Sequence, residues 1–136
     1  MREWVIPSLG VFVAWGFWGF LPKLTVRYLP PRDAVIYEIL GGVLLAVILM
    51  VIYGPRLQTD WRGVALSAIT GLVGFVGALL YLRAVVNGPV SLVTTISALY
   101  PVLVIAMAYF FLGETINLRQ GIGVVMAMTA IYLIAT

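Results

Sequence analysis

Glu38 is the only carboxylate well inside a long apolar run, and an ionisable side chain in such a place is a functional candidate by default. The run from Asp33 to Tyr53 reads as a helix, which puts Glu38 roughly 6–9 Å below its start. Lys23 closes the preceding apolar run and Arg83 closes the following one, so three ionisable groups are expected at one depth. Two chemistries fit them. A fixed Glu38–Lys23 or Glu38–Arg83 ion pair would tie helices together. Alternatively, Glu38 would serve as a gate, or as an acid that exchanges a proton for a cationic solute.

A second set follows in the fourth apolar run. Ser91, Thr94, Thr95 and Ser97 form a hydroxyl strip, and the first three are spaced to share a helical face. Pro101 has no N–H, so the Ser97 carbonyl four residues back loses its helical partner and needs another, or a water-lined cavity. Tyr100 stands beside it. Trp15 falls about 16 Å into the first run, away from the interfacial depth where tryptophan belts sit, and Trp18 follows on nearly the same face. Trp15, Trp18, Thr94, Thr95, Ser97, Tyr100 and Pro101 are therefore the candidate lining of a solute cavity. Cation–π attraction there would suit an organic cation and stacking would suit an aromatic metabolite. The competing reading makes the aromatics lipid-facing or core residues and leaves each hydroxyl bonded to its own helix.

No other residues suggest chemistry. Cysteine and histidine are absent, which removes disulfides, thiol chemistry and the usual zinc or copper sites. No nucleophile–base arrangement or phosphate loop occurs, and the glycines of the third run lack the strand–turn–helix setting of a dinucleotide fingerprint. No enzyme and no cofactor is expected. The net charge of +3 comes from basic residues scattered singly at run ends, not clustered as a nucleic-acid surface requires.

The elements that must hold these residues follow from composition. Of 136 residues, 63% are hydrophobic and 10% charged, far from the balance of a soluble domain. The apolar residues are segmented into runs of membrane-crossing length. An all-α integral membrane unit of five spans is expected, at about 4–21, 33–53, 61–83, 90–112 and 118–135. Pro22, Pro30-Pro31, Gly54-Pro55 and Asn87-Gly88-Pro89 mark the ends, and Pro101 falls within the fourth span. Asn117 and Gln120 are spaced as a capping box for the fifth helix, which should form a tight antiparallel hairpin with the fourth. The N-terminal run continues to full membrane length without a small-residue cleavage site and reads as a retained span.

Five spans place the termini on opposite sides of the membrane. Arg2, Arg56, Arg62 and Arg119 then face one side, and Lys23, Arg27, Arg32 and Arg83 face the other. Lysine and arginine in short loops normally set orientation, and here they cancel. Either the chain inserts both ways up, or something else fixes its direction. Small residues, which let helices approach closely in lipid, mark candidate packing or dimer faces: Gly71, Gly74 and Ala78 on the third helix, and Gly123 and Ala127 on the fifth.

Several of these residues together resemble a known family. Trp15-Gly16 followed by Lys23, Ala84 and Gly88 after the third span, Pro101, Leu112-Gly113-Glu114, and Asn117-Leu118-Arg119-Gln120-Gly121 look like one EamA-type unit of the drug/metabolite transporter superfamily. The resemblance covers essentially the whole chain and is most specific from Pro101 to Gly123. It implies a polytopic transporter, usually ten helices in two inverted five-helix repeats, whose members typically export metabolites including amino acids. One repeat is present here, so the resemblance implies association of two chains, as in the related small multidrug resistance proteins. Those carry a membrane-embedded glutamate in helix one, where this sequence has only Glu3 at the very start.

The expectation is a multi-pass protein of the cell membrane whose partners are the lipid bilayer, a small organic solute and a second, antiparallel copy of itself. Two other functions fit the sequence. One is a subunit that pairs with a different half-transporter, or helps flip a lipid-linked metabolite; the other is a membrane interaction protein that transports nothing.

Overall fold

The computed structural model describes residues 4–135, and every regular element among them is helical. Helix α1 spans Val5–Thr25, α2 Pro31–Tyr53, α3 Trp61–Asn87, α4 Val90–Ser97, α5 Tyr100–Met107 and α6 Leu118–Ala135. A π-helical turn, Ala108–Leu112, continues α5. Arg2 and Glu3, named above, lie outside the described residues. Four stretches are long and apolar enough to cross a membrane: α1, α2, α3 and the composite Val90–Leu112. The fifth expected span is a shorter apolar helix, Leu118–Ile134, close to the lower length limit for a crossing.

The other expected boundaries shift for local reasons. Helix α1 runs past Pro22 to Thr25. Proline removes one N–H, the one that would bond the Trp18 carbonyl, and the next turn closes normally, with the Val26 N–H on the Pro22 carbonyl at 3.0 Å. Helix α3 continues four residues beyond Arg83 because its last turns are packed: Val85 is fully buried. The fourth span is not one helix. Ala98 and Leu99 form a turn between α4 and α5, three residues before Pro101.

The chain divides into two compact units after Asn87. In the first, α3 packs against both α1 and α2. Small and large residues interdigitate there: Ala34 and Val35 of α2 with Ala78 and Leu82 of α3, flanked by Val26, Leu29, Phe75 and Leu79. A Cβ on Gly42 would meet Phe75 at 3.5 Å, so α2 and α3 stay close along this seam. Helix α2 starts with proline at its first position, where the missing N–H costs nothing, and α3 starts on Asp60, whose Oδ1 accepts the N–H groups of Arg62 and Gly63 at 3.0 and 3.1 Å. Most large apolar side chains elsewhere are exposed, Val51 and Phe12 among them, as expected where the surroundings are lipid tails.

In the second unit α4 packs against α6, in keeping with the expected hairpin. The π-helical turn ends on Gly113, whose φ of 65° lies in the left-handed region that glycine tolerates best. The Glu114 N–H then bonds back to the Ala108 carbonyl at 3.2 Å. Helix α6 opens with the expected capping box. The Asn117 N–H donates to Gln120 Oε1, and the Gln120 N–H to Asn117 Oδ1, both at 2.9 Å.

Candidate substrate path and intramembrane charges

In the first unit two polar ties join α1 to α3. The Tyr81 hydroxyl donates to the Gly19 carbonyl at 2.6 Å, and Lys23 Nζ donates to the Val85 carbonyl. Gly19 and Lys23 are one turn apart on α1; Tyr81 and Val85 are one turn apart on α3. The two bonds therefore form rungs across one seam. Pro22 is buried at this crossing. A proline ring crowds the preceding turn and loosens its carbonyls, so the Gly19 carbonyl can take a hydroxyl from α3. Lys23 reaches the Val85 carbonyl in the last turn of α3, where the helix dipole favours a cation.

Trp18 lies on this seam, its ring 5.4 Å from that of Tyr81 at an interplanar angle of 37°. It keeps 44% of its surface exposed and Trp15 keeps 56%, so both present aromatic area outside the core. The ion pair that spacing suggested is not formed: among the described residues Glu38 pairs with neither Lys23 nor Arg83. Arg83 is exposed, and its carbonyl accepts the Asn87 side-chain amide at 3.3 Å. Ala78 is buried in the α2–α3 core, but Gly71 and Gly74 have no neighbour within 4 Å of a would-be Cβ.

The second unit carries the hydroxyl strip. Thr95 donates to the Ser91 carbonyl at 2.7 Å and Ser97 to the Val93 carbonyl at 2.8 Å, each within α4. Next comes the break. The Ala98 N–H still reaches the Thr94 carbonyl, but the Leu99 N–H drops back to Ile96 and the Val102 N–H to Leu99, both three-residue closures. With no N–H on Pro101, the Ser97 carbonyl lacks its helical donor. Ser97, Tyr100 and Pro101 thus surround an interrupted backbone, and all three are exposed. Irregular backbone at membrane depth is tolerated where it is buried in protein or lines a water-filled cavity. On α6, Gly123 has open space around it and Ala127 is exposed.

Tyr81 was not legible as a site residue in the sequence. The available signal was a hydroxyl inside a span, which must find an acceptor, but its acceptor lies 62 residues away and depends on how α1 meets α3.

These features sit on a unit of recognisable kind. A model of the EamA-like transporter family matches residues 2–136. The chain belongs to that family. An uncharacterized protein of Methanocaldococcus jannaschii is 28% identical over 131 residues, which cover 96% of this chain and 95% of that relative. An uncharacterized transporter of Archaeoglobus fulgidus is 23% identical over 131 residues, 96% of this chain but 47% of the relative. The uncharacterized Bacillus subtilis transporter YwfM is 25% identical over 138 residues, with 96% and 45% coverage. The chain spans about half the length of these two transporters. No solved structure matches it. The EamA-like chain is a multi-pass membrane protein of a transporter family, with apolar helices in contact with lipid.

Proposed function

We propose that two oppositely inserted copies of this EamA-like unit form a secondary transporter that moves a small organic solute across the cell membrane by alternating access. The observation that carries the reading is the match to the EamA-like transporter family over residues 2–136. The chain covers about half of two relatives named as transporters and 95% of an uncharacterized third. Inverted pairs of repeats are a common transporter plan. The even split of basic residues removes the usual instruction for a single orientation. With α6 counted as a fifth crossing, the termini fall on opposite sides.

Trp15, Trp18, Thr94, Thr95, Ser97, Tyr100 and Pro101 line the path. Exposed indoles supply flat apolar surface, and the α4–α5 break supplies a carbonyl acceptor and hydroxyls. That combination suits an amphipathic or aromatic solute, cationic if the indoles contribute cation–π attraction. Gly123 and Ala127 form the seam between copies, with Gly71 and Gly74 as a second close-approach face.

The test is uptake by lipid vesicles containing this protein alone, with labelled tetraphenylphosphonium and a labelled aromatic amino acid as probes. Uptake of either above protein-free vesicles, reduced at least several-fold by Trp18→Ala, supports the reading. Folded protein that transports neither, yet gains transport when a different half-transporter is added, rejects the self-sufficient pair.

A further inference from the structure

We propose that one end of the first unit, where α1 and α3 stop and α2 begins, binds the headgroups of anionic phospholipids through Arg27, Arg32 and Arg83. The three arginines stand apart in sequence, and one core gathers them. Val26 and Leu29 of the α1–α2 connection pack against the cluster of Ala34, Val35, Ala78 and Leu82. Arg27 follows Val26, Arg32 precedes Ala34 by two residues, and Arg83 follows Leu82; all three arginines are exposed. The connection is fixed by its own bonds as well, the Arg27 and Tyr28 N–H groups closing on the Leu24 and Thr25 carbonyls at 3.1 and 2.9 Å. The rungs Gly19–Tyr81 and Lys23–Val85 set α1 and α3 in parallel register, so the two helices end level, at Thr25 and Asn87. Arg83 lies one turn short of that level, and a side chain of its length extends to it.

Charge at this end is unbalanced. Lys23, Arg27, Arg32 and Arg83 are set against one acid, Asp33 in the first turn of α2, and Glu38 lies more than a turn deeper. Lys23 is occupied with the Val85 carbonyl, whereas among the described residues no ion pair or hydrogen bond engages the three guanidinium groups. The opposite end of the unit is different: Asp60 accompanies Arg56 and Arg62, and the Arg62 guanidinium lies over the Trp61 ring, 5.8 Å from its centroid. A guanidinium grips a phosphate through paired N–H donors, and basic residues clustered at the ends of membrane helices attract anionic headgroups. Apolar tracks then lead inward from two of the arginines. Ile36 and Leu40 follow Arg32 at one-turn spacing on α2, Leu80 and Val76 lead back from Arg83 on α3, and all four are exposed. A phospholipid uses both parts, its phosphate at the arginines and its acyl chains along the tracks; free phosphate uses only the first. No transported solute enters this inference, so it and the transport reading fail separately.

The test uses the full chain in phosphatidylcholine vesicles at low ionic strength, with chain-spin-labelled phosphatidylglycerol or phosphatidylcholine as the probe. Electron spin resonance resolves the labelled lipid immobilised on the protein from the rest. Phosphatidylglycerol should be held several-fold more strongly than phosphatidylcholine, with the preference weakening as salt is added. Arg27→Gln, Arg32→Gln and Arg83→Gln together should bring the two lipids close to parity, while Arg56→Gln with Arg62→Gln leaves most of the preference. Equal association of the two lipids with the wild type overturns the proposal, and so does an equal loss in both variants. A preference abolished by millimolar inorganic phosphate at constant ionic strength also overturns it, since the arginines then take a free anion rather than a lipid. Should the triple variant fold poorly, the single variants decide: the preference must fall in each, and failure to fall in any one rejects the three-arginine site.

Discussion

Both units carry side chains bonded within their own helices, Thr70 to the Leu66 carbonyl and Thr95 to the Ser91 carbonyl among them, and the first adds ties between helices. In the first, Tyr81 and Lys23 reach across to carbonyls of another helix, and the bonds they make fix how α1 meets α3. In the second, Thr95, Ser97 and Thr129 donate to carbonyls of their own helices, and Asn117 and Gln120 bond to each other. A tie between helices holds a seam in one arrangement. A hydroxyl bonded within its own helix leaves that helix able to shift without breaking the bond, and can exchange its partner for a solute. The first unit therefore holds a tied seam, and the second carries an interrupted helix and a π-helical turn. π-Helical turns recur at functional positions in other helices.

Five substitutions sharpen or break that contrast. The largest effect is expected at Leu82, which is fully buried in the α2–α3 core. Leu82→Ala should cost about 2–5 kcal/mol, read as a lowered midpoint in reversible unfolding in mixed micelles. A cost near zero would mean that the first unit is not a packed framework. Next is Lys23→Met, which keeps the aliphatic stem but removes a charge-assisted donor worth about 1.5–3 kcal/mol. Cross-linking between cysteines placed in the last turns of α1 and α3 should fall with it; unchanged cross-linking would show that the tie is ornamental. Tyr81→Phe removes one intramembrane hydrogen bond and should cost about 0.6–1.7 kcal/mol, while the ring contact with Trp18 is retained. Its effect and that of Lys23→Met should be non-additive, because both bonds hold one seam.

The smallest stability change is expected in the second unit. Ser97→Ala and Thr95→Val should each change stability by less than about 0.5 kcal/mol, since each removes a bond within a single helix. They should nevertheless alter transport of the vesicle probes by several-fold. If they destabilise as much as Tyr81→Phe, the hydroxyls are structural and the proposed division between the units is wrong.

Local signals made much of this fold legible. The capping box needed only the spacing of Asn117 and Gln120, because both of its bonds are made within four residues. The helix starts at Pro31 and Trp61 lie close to where proline and tryptophan placed them. The end of α1 was not legible: Pro22 reads as a stop, although one missing N–H does not end a helix whose next turn can close. Pro101 pointed to a freed carbonyl at Ser97, and α4 ends there, with Ala98-Leu99 as the turn before α5. Of the candidate charges, Lys23 was sensed but its partner was not: spacing pointed to a carboxylate, and the fold supplied a backbone carbonyl. Pairings of that kind depend on the rotation of one helix against another, which no run of residues encodes locally.

The account stands most directly on orientation. The chain has no native cysteine, so a single one introduced by Gln58→Cys in the α2–α3 connection reports cleanly. Labelled in intact cells with a membrane-impermeant thiol reagent, and again after permeabilisation, roughly half of the molecules should react from outside if both orientations are populated, an even split being what balanced charge allows. Labelling of all copies, or of none, before permeabilisation would show a single orientation and contradict the antiparallel pair.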